Sequence, residues 1–152
     1  MIDTKTYHNK SNYINNNCVS IQHEDNFLLL GLLLPKSLNE SVQYQSKLAN
    51  KPKLMIRIIN QFKYTTELEF NYLFNFGKSE QICIKLYHDA KVAEMVYCTN
   101  VHRFIRLLGP KIPPKIHMQT RYALNTFLHK WLHYLLKNGY RSELWNDLKI
   151  RI

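Results

Sequence analysis

The sequence predicts an α+β fold, a four-stranded antiparallel sheet packed against N-terminal and C-terminal helices. Three observations predict it. Apolar and polar residues alternate between Leu54 and Tyr97, the period of strands with one buried face. Leu124, Phe127, Leu128, Trp131 and Leu135 recur at the spacing of a core-facing helical stripe. A leucine-rich run, Leu28 to Leu34 with Gly31 inside it, stops at Pro35 near the other end of the chain.

The elements follow in order. Residues 1–20 are polar and rich in asparagine, so about the first ten are expected to fray. One or two helices are expected between Tyr13 and Leu34. The leucine density predicts burial on several sides, and Pro35 ends the element because the residue before proline avoids the helical region. Ser46, Asn50 and Pro52 then read as a connection. Leu54, Ile56 and Ile58 share one face, as do Thr66, Leu68, Phe70, Tyr72 and Phe74. Residues 75–79 read as a hairpin loop. Ile82, Ile84 and Leu86 form a third row, and Val92, Glu94 and Val96 alternate with Ala93, Met95 and Tyr97. Strands this close cannot be joined by parallel crossovers, so the sheet is antiparallel. Residues 109–114, Gly-Pro-Lys-Ile-Pro-Pro, break structure. A helix is predicted from Gln119 to Lys137, with a cation in its last turn and Gly139 as its stop.

The 152 residues suit one domain over their whole length. The longest apolar run is far too short to span a bilayer, and the start lacks the basic and apolar pattern of a secretory signal. Cys18, Cys83 and Cys98 form no closely spaced pair, which fits thiols in a reducing cytoplasm. The net charge of +10 is uneven. Residues 1–50 balance, while residues 51–152 carry seventeen basic side chains against seven acidic ones. Such a half attracts anionic partners, here nucleic acid or an acidic protein surface. No membrane partner and no cofactor are expected.

Residues 84–97 concentrate chemistry: Tyr87, His88, Asp89, Lys91 and Glu94 interrupt a sheet-like segment. His88 is the candidate general base of an enzyme, a hydrolase for example, with Asp89 or Glu94 positioning it. Successive strand residues face opposite ways, so this catalytic reading needs a turn at 88–90. Glu94 has a second role open to it, pairing with Lys85 or Lys91 across the ladder. Asp89 likewise suits a turn cap. The preferred reading is a binding or accessory domain. Its candidate ligand contacts are Tyr87, His88, Arg103, Arg106, Lys111 and Arg121, with Lys115 near them. His129 and His133 share a helical face, but Lys130 lies between them and no glutamate completes a zinc motif, so no metal site is expected. Phosphate-binding loop, dinucleotide fingerprint, nucleophile elbow and paired-cysteine motifs are all absent.

Three segments carry a resemblance: Tyr64-Thr65-Thr66, Leu86-Tyr87-His88-Asp89-Ala90-Lys91-Val92-Ala93-Glu94, and Leu124-Asn125 with Phe127-Leu128 and Trp131-Leu132 up to Gly139. With them the chain resembles the uncharacterised bacterial YqiB-like proteins (DUF1249) over roughly residues 50–141. The Leu-Tyr-His-Asp-Ala stretch is the most specific of the three. The chain departs from the family pattern before the last helix, where Gln119-Thr120-Arg121 stands in place of an Asp-Glu-Lys. The resemblance implies a cytoplasmic single domain and brings no activity, ligand or cofactor with it.

Overall fold

The computed structural model describes residues 21–73, 79–99, 102 and 114–149. The expected fraying of the first ten residues and most of the expected 75–79 loop lie outside them.

Residues 21–33 are helical (α1). The Leu34 N–H still bonds back to the Leu30 carbonyl at 2.8 Å before Pro35 ends the run. The leucines divide by helical geometry: Leu30, Leu33 and Leu34 are buried, whereas Leu28 and Leu32 are 67% and 61% exposed. Burial on several sides is therefore corrected to burial on one.

Among the described residues six strands follow: β1 (Val42–Ser46), β2 (Leu54–Gln61), β3 (Thr65–Leu73), β4 (Ser79–Tyr87), β5 (Val92–Cys98) and β6 (Asn146–Lys149). Between β5 and β6 lies helix α2 (Pro114–Lys137). The sheet order is β5-β4-β3-β2-β1-β6, and every pairing is antiparallel. The expected four-stranded sheet is thus corrected to six strands. The missed strands, β1 and β6, pair with each other from Val42↔Lys149 to Gln45↔Asn146. β1, Val-Gln-Tyr-Gln-Ser, is short and faces the core with Tyr44 and a polar residue, Ser46. The Ser46 hydroxyl donates to the Leu144 carbonyl at 3.1 Å, which satisfies it there. β6 begins Asn-Asp, residues depleted in strands. Its conformation is supplied by a partner from the far end of the chain, which a local pattern cannot register.

Leu54, Ile56 and Ile58 of β2, Leu68, Phe70 and Tyr72 of β3, Ile82, Ile84 and Leu86 of β4, and Ala93 and Met95 of β5 share one buried face. They join Leu30 and Leu33 of α1 and Leu124, Leu128, Trp131, Leu132 and Leu135 of α2 in one core. Burying each large aliphatic side chain contributes about 1.5–3 kcal/mol. Trp131 meets Phe70 and Tyr72 edge-on at 5.6 and 5.7 Å. The buried stripe of α2 takes in Asn125 and Leu132, while Phe127 lies exposed at its margin, stacked on Trp131.

α2 starts at Pro114, before the expected Gln119. Proline suits the first helical position, where its missing N–H costs no bond and its fixed φ is already helical. The helix stops as expected. Gly139 has φ 98°, Tyr140 N–H reaches the Leu135 carbonyl at 3.1 Å and Gly139 N–H the Leu136 carbonyl at 3.2 Å. That is a Schellman cap closed by the buried Tyr140.

Candidate functional site

β5 is the end strand of the sheet, and α2 runs beside it. Asn125 of α2 accepts the Met95 backbone N–H at 3.0 Å. One residue further along β5 the ladder slips: Ile84 pairs with Met95 and Cys83 with Tyr97, leaving Val96 as an extra residue. A bulge of this kind bends an edge strand and re-aims side chains.

Glu94 stands in register with Lys85, which is in register with Glu67, so it belongs to the sheet face opposite the core. Its side chain is only 12% exposed. The Tyr87 hydroxyl donates to Glu94 Oε1 at 2.8 Å, and the Arg121 guanidinium donates to Glu94 Oε2 at 2.6 Å. The guanidinium comes from one turn before Asn125, at the sheet edge. Burial and the Glu94 carboxylate push the Tyr87 phenol up to about 12. Lys85 does not take the carboxylate; its Nζ lies over the Tyr87 ring, 5.4 Å from the centroid. His23 of α1 completes the cluster electrostatically. Burial holds its imidazole below the usual range, the Glu94 charge opposes that and the Arg121 charge adds to it. Among the described residues no group meets His23 Nε2 or Asn26 Oδ1, both buried.

Beside this network lies a groove of about 300 Å³. Glu94, Met95 and Val96 line it from β5, His117, Thr120, Arg121 and Leu124 from α2, with His102 completing the wall. The α2 residues fall at positions i, i+3, i+4 and i+7, one helical face. The His102 ring lies against Tyr97, centroids 4.3 Å apart, and its Nδ1 sits 3.1 Å from the Cys98 carbonyl oxygen.

The structure brings Tyr87, Glu94 and Arg121 together and sends His88 elsewhere. His88 Nε2 lies 2.6 Å from the Thr66 hydroxyl, and its backbone N–H bonds the Tyr64 carbonyl at 2.8 Å. Thr66 belongs to the core-side row with Leu86, opposite Glu94. Asp89 is exposed in the four-residue turn that links β4 to β5. Lys115 is exposed in the first turn of α2. Arg103, Arg106 and Lys111 lie outside the described residues. His129 pairs with Asp25 of α1 at 3.7 Å and meets the His133 ring at 4.7 Å. Among the described residues no group of three or more His, Cys, Asp or Glu side chains is arranged to hold a metal ion.

His23 and His102 escaped sequence reasoning, and Thr120 entered it only where the chain departs from the family pattern. One signal was present. Carried toward the start of α2, the apolar stripe through Leu124 and Leu128 continues as Arg121, Thr120 and His117. A core face that turns polar over its first two turns marks a lined groove.

The DUF1249 family model, "Protein of unknown function", matches residues 29–141. The "Uncharacterized protein YqiB" of Escherichia coli strain K12 is 32% identical over 123 residues, covering 76% of this chain and 84% of the relative. The same figures hold for its counterparts in the O6:H1 and O157:H7 strains. No solved structure matches. Among the described residues no helix is long and apolar enough to cross a membrane. The match spans α1 from Leu29, the first five strands and all of α2, and the chain belongs to the DUF1249 family.

Proposed function

We propose that this chain is a small cytoplasmic binding domain that holds an anionic partner, RNA or an acidic protein surface, at the groove between β5 and α2. The observation that carries the reading is the state of Arg121. Glu94 fixes its guanidinium at 2.6 Å, yet the side chain remains 65% exposed. A planar fork of N–H donors suits phosphate or carboxylate. A fork already oriented loses less freedom when a partner arrives. Glu94 offsets part of its charge, so the contact is weak and sensitive to salt. Supporting charge comes from the basic excess of residues 51–152 and from the start of α2, whose first turn holds Lys115 and no acid.

Fluorescence anisotropy with labelled single-stranded RNA, duplex DNA and an acidic peptide tests this. Binding is expected at low salt and falls steeply as salt rises. Arg121→Gln weakens it several-fold. Failure of all three probes to bind at low salt overturns the reading.

A further inference from the structure

The two long walls of the groove differ in chemistry. On α2, His117, Thr120 and Arg121 present an imidazole, a hydroxyl and a guanidinium along one helical face. Three unlike donors exceed what the two oxygens of a carboxylate require and match the several oxygens of a phosphate. On the β5 side the lining is apolar apart from the Glu94 carboxylate, which the Arg121 guanidinium takes up at 2.6 Å. Val96, the extra residue of the bulge, is 43% exposed, with Met95 beside it. Ligand sites combine apolar lining with a few placed polar groups, so this side suits the uncharged body of a ligand. His102 supplies the remaining wall as a flat ring. Tyr97 backs it at 4.3 Å, and the Cys98 backbone tethers its Nδ1. A ring anchored in this way suits stacking, and stacking on aromatic or histidine side chains is how proteins hold unpaired bases.

From this arrangement we propose that the groove seats one nucleotide of single-stranded RNA, its base against His102 and Val96 and its phosphate at Arg121, Thr120 and His117. The proposal rests on the anion-binding reading above and names the ligand of that same site. Size favours a single nucleotide: about 300 Å³ lies at the small end of ligand cavities, and a base locked in a duplex cannot enter it. The side chain of an acidic protein segment carries no flat ring, and would leave the His102 and Val96 wall empty.

Competition against labelled single-stranded RNA at low salt tests it, with adenosine 5′-monophosphate, ribose 5-phosphate, inorganic phosphate and phenylacetate as competitors. Adenosine monophosphate is expected to displace the RNA, with ribose 5-phosphate roughly ten-fold weaker for lack of a base. His102→Ala should bring the two to parity while leaving ribose 5-phosphate unchanged. Val96→Trp, which fills the groove from an exposed position on β5, should abolish competition by the nucleotide even if His102→Ala fails to fold. Equal competition by adenosine monophosphate and ribose 5-phosphate overturns the proposal, as does phenylacetate competing as well as the nucleotide. RNA binding that needs Arg121 but ignores His102→Ala, Val96→Trp and adenosine monophosphate also overturns it, and leaves the anion-binding reading standing. Absence of binding by RNA, duplex DNA and acidic peptide alike overturns both.

Discussion

Asn125 Oδ1 on α2 accepts the Met95 backbone N–H of β5 at 3.0 Å, and both residues are buried. An end strand otherwise offers unpaired N–H groups to any passing strand. Here a helix side chain takes one of them. The Asn125 amide is held in turn: its Nδ2 donates to the Arg121 carbonyl at 2.8 Å, and Asn26 Nδ2 reaches its backbone carbonyl at 3.5 Å. The bond that closes the sheet edge therefore also sets α2 where Arg121 meets Glu94.

Asn125→Leu keeps the volume and removes the acceptor. It leaves the Met95 N–H buried and unmet, which costs about 1–3 kcal/mol. The check is urea denaturation: the midpoint should fall while the slope stays that of the parent, since the exposed surface is unchanged. An unchanged midpoint would show that the Met95 bond contributes nothing.

The limits of sequence reading follow from where each signal resides. β2 to β5 are legible because each strand carries its own period-two row, from Leu54 through Met95. β1 and β6 are not, because Ser46 is satisfied by a carbonyl distant in the chain and Asn146-Asp147 extend only against β1. Pro114 reads as a breaker although it is the first residue of α2. At the site, Tyr87, Glu94 and Arg121 stand out as single residues, but their meeting depends on the docking of α2 at the edge of β5. His102 carries no local pattern. Only the change of the α2 stripe from Leu124 to Arg121, Thr120 and His117 foreshadows the groove.

His23 makes acid stability testable. Burial holds its folded pKa below 6.5, with Glu94 opposing and Arg121 reinforcing that shift. The unfolded chain then binds the proton more readily than the fold. The stabilisation is full above pH 6.5 and is lost as pH falls through the lower folded value. Denaturation midpoints should drop as pH falls below 6.5, and His23→Gln should flatten part of that slope. A proton NMR titration that places the His23 ring at or above 6.5 would contradict this.

Lys91 closes the β4–β5 turn with φ 54°. A side chain in that left-handed region costs about 1–2 kcal/mol that glycine avoids. Glycine also loses more freedom on folding, so Lys91→Gly should stabilise the protein by about 0.5–1 kcal/mol. A thermal melt reads this as a rise of a few degrees. A fall instead would mean that the lysine makes a compensating contact in the fold.

The Tyr87–Glu94–Arg121 chain separates into two bonds of different strength. Arg121 is largely exposed and solvent screens its pair, so a double-mutant cycle with Glu94→Gln and Arg121→Gln should give a coupling below about 1 kcal/mol, shrinking further in high salt. The Tyr87 bond is better shielded and should outlast salt. Its phenol is pushed up to about 12, against 10 for the unfolded chain, so its contribution is full below pH 10 and disappears as pH climbs toward 12. Tyrosinate absorbance shows the order directly. Subtracting the Tyr87→Phe titration from that of the parent should leave one step near pH 12. A difference step near pH 10 would mean that Tyr87 is free of Glu94, and Arg121 would then have lost the brace beneath its anchor.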